Sequence, residues 1–171
     1  SLNIPIIKMP ENARDLMTAK LLDVIKRPCE RMLLIHPPHI PEADFLVERA
    51  LNRRYWSYDP YGAGVLCRNL EARGYRTNIL DINYEILTYA NESPNEFRYA
   101  IWRDKLVEKL AGFKPNIVGI SCMFTMSHES VKLIAAAIKA FDPAMPIIGG
   151  GVHLSNARKL ALEDCADIDF I

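Results

Sequence analysis

The chain has 171 residues, half of them hydrophobic, and its 21 basic side chains balance 21 acidic ones. That length suits one domain with room for a sizeable core. Zero net charge leaves no electrostatic footprint for nucleic acid or an anionic membrane, so a small neutral partner fits better.

Residues 1 to 30 read as an amino-terminal helical arm: Leu16, Leu21, Leu22 and Ile25 recur at roughly helical spacing until Pro28 ends the pattern. "RMLLIHPP" (31 to 38) is a continuous apolar run stopped by two prolines, as expected of a parallel strand buried on both faces. Residues 39 to 60 are too polar and proline-marked for a strand and longer than an ordinary strand-to-helix loop, a length that suits function. "YGAGVLCRNLEARG" (61 to 74) predicts a helix with Val65, Leu66 and Leu70 on one face and Gly74 ending it in the left-handed conformation. "YRTNILDIN" (75 to 83) predicts the second strand, followed by an excursion over 84 to 96.

A further helix stacks Trp102, Leu106 and Leu110 at i, i+4, i+8. "NIVGISCMF" (116 to 124) is the third predicted strand. Thr125 or Ser127 is placed to cap the next helix, whose Val131, Ile134, Ile138 and Phe141 face the core. A fourth strand over 145 to 150, a short helix over 155 to 165 and a fifth strand over 167 to 171 complete the alternation. Alternating elements with apolar strands predict an α/β fold, a doubly wound five-stranded parallel sheet of flavodoxin-like order 2-1-3-4-5. Ligands of such sheets bind at the carboxyl ends of the strands. That edge carries His36, Pro37, Pro38, Asp81, Ser121, Cys122, Met123 and Gly149 to Gly151.

Several chemistries fail at this edge. "GAG" at 62 to 64 with Asp81 downstream imitates a dinucleotide fingerprint, but some two dozen residues separate those glycines from the first strand and Cys67 stands where the third glycine belongs. There is no GxxxxGK[ST] loop and no Ser/Thr-rich flavin-phosphate loop. Ser121 and Cys122 occupy the place where a receiver domain needs an acid, and no GxSxG elbow is present. Cys122 reads as a small buried strand-end residue before it reads as a nucleophile. The four cysteines, Cys29, Cys67, Cys122 and Cys165, form no CxxC pair, as expected of reduced thiols in a cytoplasmic protein, and no apolar run reaches the roughly 18 residues of a membrane span.

A shape argument remains. Gly149, Gly150 and Gly151 beside Gly119, Ser121 and Cys122 make neighbouring strand ends with almost no side-chain bulk. A slot between them would take a ligand whose long tail runs down beside the sheet while a broad ring covers the top; the alternative is a tight strand-to-helix turn.

The series "LLIHPP", "PYGAGVLCRNLEARGYRTNILD", "KPNIVGISCMF", "IIGGGVHLS" and "DIDFI" resembles, over residues 31 to 171, the cobalamin-binding domain at the amino end of many radical S-adenosylmethionine enzymes. The resemblance implies a corrin ring over the strand ends and a nucleotide tail in the slot. It places Ser121 and Met123 at the S-x-L positions after the third strand and Gly149 with Gly150 at the paired glycines after the fourth. Cofactor contacts expected from the two lines together are Pro37, Pro38, Asp81, Ser121, Cys122, Met123, Gly149, Gly150, Gly151 and His153. Asp81 is alternatively a turn cap and His153 a turn residue. Tyr55, Trp56, Tyr58 and Tyr61 either meet the corrin or anchor the long loop.

The sequence departs from the D-x-H-x-x-G pattern by which methionine synthase and the mutases present a cobalt-binding histidine: "IHPPHIPEADF" stands there instead. His36 and His39 are the candidates for a metal ligand, against the alternative of loop histidines bonded to backbone. Radical chemistry needs a CxxxCxxC iron-sulfur motif, absent here, so S-adenosylmethionine and a 4Fe-4S cluster are expected in a carboxyl-terminal radical domain of the same polypeptide, with this chain as its truncated, non-catalytic amino-terminal module. The parent is expected to be a methyltransferase or a cyclase acting on lipid or tetrapyrrole. A degenerate module that docks without cofactor is the competing expectation.

Overall fold

The computed structural model describes residues 12–26 and 28–171. Helix α1 (Ala13–Val24) leads in, with Leu16 and Leu22 exposed, and ends four residues short of Pro28; the arm's first eleven residues lie outside the described set. Strands β1 (Arg31–His36), β2 (Arg76–Asp81), β3 (Ile117–Ser121) and β4 (Ile147–Gly150) form one parallel sheet in the order β2-β1-β3-β4. In register, Leu34 lies beside Ile79 on one side and Gly119 on the other, and Ser121 beside Gly150. Asn116 sets the start of this register, its Oδ1 accepting from the backbone of Glu30 and Arg31 at 3.2 and 3.1 Å.

The connections are α2 (Val47–Leu51) and α3 (Tyr61–Glu71) after β1, α4 (Ile82–Glu92) and α5 (Ile101–Phe113) after β2, α6 (His128–Phe141) after β3, and α7 (Val152–Asn156) with α8 (Arg158–Asp164) after β4. One sheet face, carrying Leu33, Ile35, Leu80, Val118, Ile120 and Ile147, is the main core, shared with Ile86 of α4, Trp102, Leu106 and Leu110 of α5, and Val131, Ile134 and Ile138 of α6. Each such side chain stabilises the fold by roughly 1.5–3 kcal/mol. The other face, with Met32, Leu34, Gly119, Ser121, Ile148 and Gly150, lies under α3. Gly74, at φ +89°, turns the chain from α3 into β2.

Five expectations change. The sheet has four strands, not five: Phe170 makes one parallel bridge to Ile148 at the expected edge. The ladder does not extend because the Asp169 carboxylate accepts the Ile147 N–H at 2.8 Å and pairs with Lys139 at 2.9 Å. The excursion after β2 begins as helix α4, which follows Asp81 without a loop because that carboxylate caps it, accepting from Tyr84 N at 3.0 Å. Neither Thr125 nor Ser127 makes a side-chain cap to α6, and Phe141 is 44% exposed, outside the core. The single short helix expected after β4 is two, α7 and α8.

Candidate functional site

A cavity of about 410 Å³ opens on the α3 face of the sheet, within the roughly 300–1,000 Å³ of ordinary ligand sites. Leu34, Gly119, Ser121, Ile148 and Gly150 form its floor; Gly62, Ala63, Leu66 and Leu70 of α3 form its wall. Met123 and Gly151 stand at the end where the strands finish. The lining is mostly apolar, with the Ser121 hydroxyl and bare backbone supplying polarity. A second, larger groove of about 600 Å³ lies between α3 and the β2 edge of the sheet, lined by Tyr61, Arg68 and Ile79 and by none of the residues of the first cavity.

The glycines hold the cavity open unequally. A Cβ on Gly150 would meet nothing within 4 Å, so this residue is the empty floor. At Gly119 a Cβ would sit 2.7 Å from Leu34 Cδ2, so its bareness lets that side chain lie flat across the strands. Gly149 lends backbone to the cavity, but a Cβ there would point at Leu154 Cδ1, 2.8 Å away, and at Ile171 Cγ1, 3.2 Å away. Gly151 takes φ +92°, and a Cβ would collide with the Cys122 backbone. Slot and tight turn therefore coexist in one GGG run.

Beyond the mouth, aromatic and thioether groups crowd the carboxyl edge. Trp56 and Tyr58 are exposed and stack at 6.0 Å with an interplanar angle of 5°; Tyr61, Met123, Phe124 and Met126 are also exposed. Tyr55 behaves differently, its hydroxyl accepting from Leu46 N and donating to Asp44 O, and its ring packing on Phe45. It anchors the loop. His39 lies edge-on to Phe124, and its Nε2 is 2.8 Å from His36 Nε2. A nitrogen-to-nitrogen hydrogen bond holds one proton between two rings, so one Nε2 donates and the other accepts. Burial holds the His36 imidazole below its ordinary range, partly offset by the Asp81 carboxylate across the strand and reinforced by His39.

Two buried polar residues fix this loop, Asn83, which sequence reasoning missed, and Ser127, which it assigned to a helix cap. Asn83 of α4 accepts from His39 N at 3.1 Å and donates to Trp56 O at 3.4 Å. Ser127 donates to Pro38 O at 3.1 Å, which is where its hydroxyl is used instead of capping α6. The buried Pro37 and Pro38 thus belong to the loop's scaffold and do not line the slot. No sequence signal marked Asn83, which sat inside the predicted second strand.

The remaining candidates divide. Asp81 caps α4. Cys122 is fully buried, its thiol donating to Phe124 O at 3.3 Å and pushed up to about 11 by burial, so it is no nucleophile at neutral pH. His153 lies on α7 at the strand-end edge, its Nδ1 3.2 Å from Thr125 Oγ1 and its Nε2 3.2 Å from His128 Nδ1. Ser121, Met123 and Gly149 to Gly151 do converge on the slot. The dinucleotide imitation stays apart from β1, since Gly62 and Gly64 lie within α3.

A long apolar crevice beside the strands, leading up to a broad aromatic edge, has the form of a site for a tailed macrocycle, and comparison with known proteins agrees. The family described as B12 binding domain matches residues 51–171. The chain belongs to the B12-binding domain family. Over 110 residues, 61% of the chain, it is 30% identical to cytidylyl-2-hydroxyethylphosphonate methyltransferase of Streptomyces wedmorensis, and it spans about a fifth of that relative's length, 20%. The residues of this B12-binding domain fit a corrinoid: Gly150 leaves space that any Cβ would enter, and the slot is large and apolar enough for part of a nucleotide tail. Among the described residues no three His, Cys, Asp or Glu side chains gather as a metal site, and none of the helices is long and apolar enough to cross a membrane.

Proposed function

We propose that this chain is the cobalamin-holding module of a larger radical S-adenosylmethionine methyltransferase, in which other parts of the polypeptide bind S-adenosylmethionine and the 4Fe-4S cluster. The slot floored by Gly119 and Gly150 and opening onto the exposed aromatic edge is the observation that carries the cobalamin reading. The order of motifs over 31 to 171 supports a radical parent, and similarity to a methyltransferase favours methyl transfer over cyclisation. The bound cofactor supplies cobalt–carbon chemistry. The chain's own residues take the nucleotide tail between α3 and the sheet, with Leu34, Leu66 and Leu70 excluding water from it. Ser121 Oγ and the backbone at Gly150 and Gly151 offer hydrogen bonds to its polar parts, and Trp56, Tyr58 and Phe124 present apolar faces toward the ring. Such a module works in the cytoplasm.

The test is retention. The purified chain is mixed with hydroxocobalamin, desalted, and its visible spectrum read. Corrin absorbance that elutes with protein is expected; its absence at high protein concentration overturns the reading in favour of a docking module without cofactor. A rise in melting temperature with a nicotinamide or flavin nucleotide would instead point to a dinucleotide site.

A further inference from the structure

Four side chains from three separate segments form one continuous chain of hydrogen bonds at the β4 side of the carboxyl edge. Asp164 of α8 lies 2.8 Å from His128 Nε2, His128 Nδ1 is 3.2 Å from His153 Nε2, and His153 Nδ1 is 3.2 Å from Thr125 Oγ1. Lys132, 3.0 Å from the same Asp164 oxygen, keeps that carboxylate charged, and together with His128 holds it below the usual carboxylate range. A charged carboxylate accepts only, so in the neutral chain every tautomer is fixed from this end. His128 carries its proton on Nε2 and gives it to Asp164; its Nδ1 is then a lone pair, which takes the Nε2 proton of His153. His153 Nδ1 is a lone pair in turn, and the Thr125 hydroxyl donates its only proton inward.

The outer end is thereby polarised. Thr125 is exposed, beside the exposed Phe124 and Met126 on the loop that follows β3, and toward the site its oxygen presents lone pairs alone. A hydroxyl left to rotate would meet a donor or an acceptor equally well. This one meets a donor.

We propose that Thr125, oriented by His153, His128 and Asp164, selects corrinoids whose rim carries primary amides over those carrying carboxylates at the same position. The inference rests on the cobalamin reading above. An amide N–H satisfies the oxygen, whereas a carboxylate brings lone pairs against lone pairs.

The full 171-residue chain is titrated at pH 8 with hydroxocobalamin and with its monocarboxylates, in each of which one rim amide has been hydrolysed. One monocarboxylate is expected to bind about tenfold more weakly than hydroxocobalamin, the scale of a single net hydrogen bond. Thr125→Val, close in shape to threonine, should bind hydroxocobalamin about tenfold more weakly and lose that discrimination, while Thr125→Ser restores both. Long-range proton–nitrogen spectra of the ligand-free chain should show His128 and His153 as Nε2–H tautomers. Equal binding of all corrinoids by the wild type, discrimination that survives in Thr125→Val, or an Nδ1–H tautomer at either ring overturns the proposal with cobalamin binding intact. A wild-type chain that retains no corrinoid fails at the earlier step and removes both.

Discussion

Three consecutive glycines with one side chain's worth of difference between their surroundings permit a sharp test of the site. Gly149→Ala places a methyl 2.8 Å from Leu154 Cδ1 and 3.2 Å from Ile171 Cγ1 in a filled core. Overpacking of that kind costs about 1–3 kcal/mol, or about 2–12 °C in melting temperature for a chain of this length. Gly151→Ala combines φ +92° with a collision against the Cys122 backbone, which cannot swing aside as a side chain would, so its loss should be the largest of the three. Gly150→Ala meets nothing within 4 Å and needs no positive φ; the stiffer unfolded chain makes it neutral or stabilising by about 0.4–1 kcal/mol. Gly150→Trp should then melt near the wild type, because the indole enters the 410 Å³ cavity without displacing protein, yet it should retain no corrin absorbance after desalting. Melting by circular dichroism and retention by visible spectrum are measured on the same samples. A Gly150→Trp chain that keeps its corrinoid, or that loses as much thermal stability as Gly149→Ala, would show that Gly150 does not floor an open slot.

Acid stability should carry a signature of His36. Its folded value lies below the ordinary 6.5, so the unfolded chain takes the proton first; this contribution is complete above that value and is lost as pH falls through it toward the folded one. His36→Asn should flatten the fall in melting temperature below neutrality, and an unchanged slope would contradict the assignment. Cys122, with its thiol raised to about 11, should resist iodoacetamide at pH 8 in the folded chain and react only in denaturant, as read by mass spectrometry. Asp169→Ala removes the acceptor of Ile147 N–H and the partner of Lys139; a loss of about 1–3 kcal/mol is expected, with accelerated amide exchange at Ile147 as the local readout.

The sheet was legible because parallel strands covered on both faces write themselves as unbroken apolar runs, and "MLLI", "NIVGI" and "PIIGG" did so. Strand order followed from topology rules, and Gly74 marked the end of α3 as turn chemistry demands. Errors arose where one side chain did the work of a backbone element. Asp81 both ends β2 and caps α4, so no loop residues announced the helix, and Asp169 meets the Ile147 N–H with its carboxylate where a strand would offer a carbonyl, so the expected fifth strand is a single bridge from Phe170 to Ile148. In the site, composition identified the bare strand ends but not which way each glycine faces, since one letter serves the slot, the core and the turn. Thr125, His128 and Asp164 lie too far from His153 in sequence for any spacing rule to join them.

The polar groups inside the molecule locate its purpose more sharply than the apolar ones do. Among the described residues the buried polar side chains are Asn83, Ser127 and Ser130, and each such group must recover its desolvation through hydrogen bonds. Asn83 and Ser127 do so by gripping the loop after β1 from opposite flanks, at His39 N and Pro38 O, while Asn83 also holds Trp56. An apolar pair would have served stability as well. What the polar pair adds is a fixed position for the backbone that carries His36, His39 and the stacked Trp56 and Tyr58, so the edge facing the ligand is built before any ligand arrives and less conformational entropy is lost on binding. Rigidity has been placed where the sheet ends, and the slot beside it is left empty by glycine.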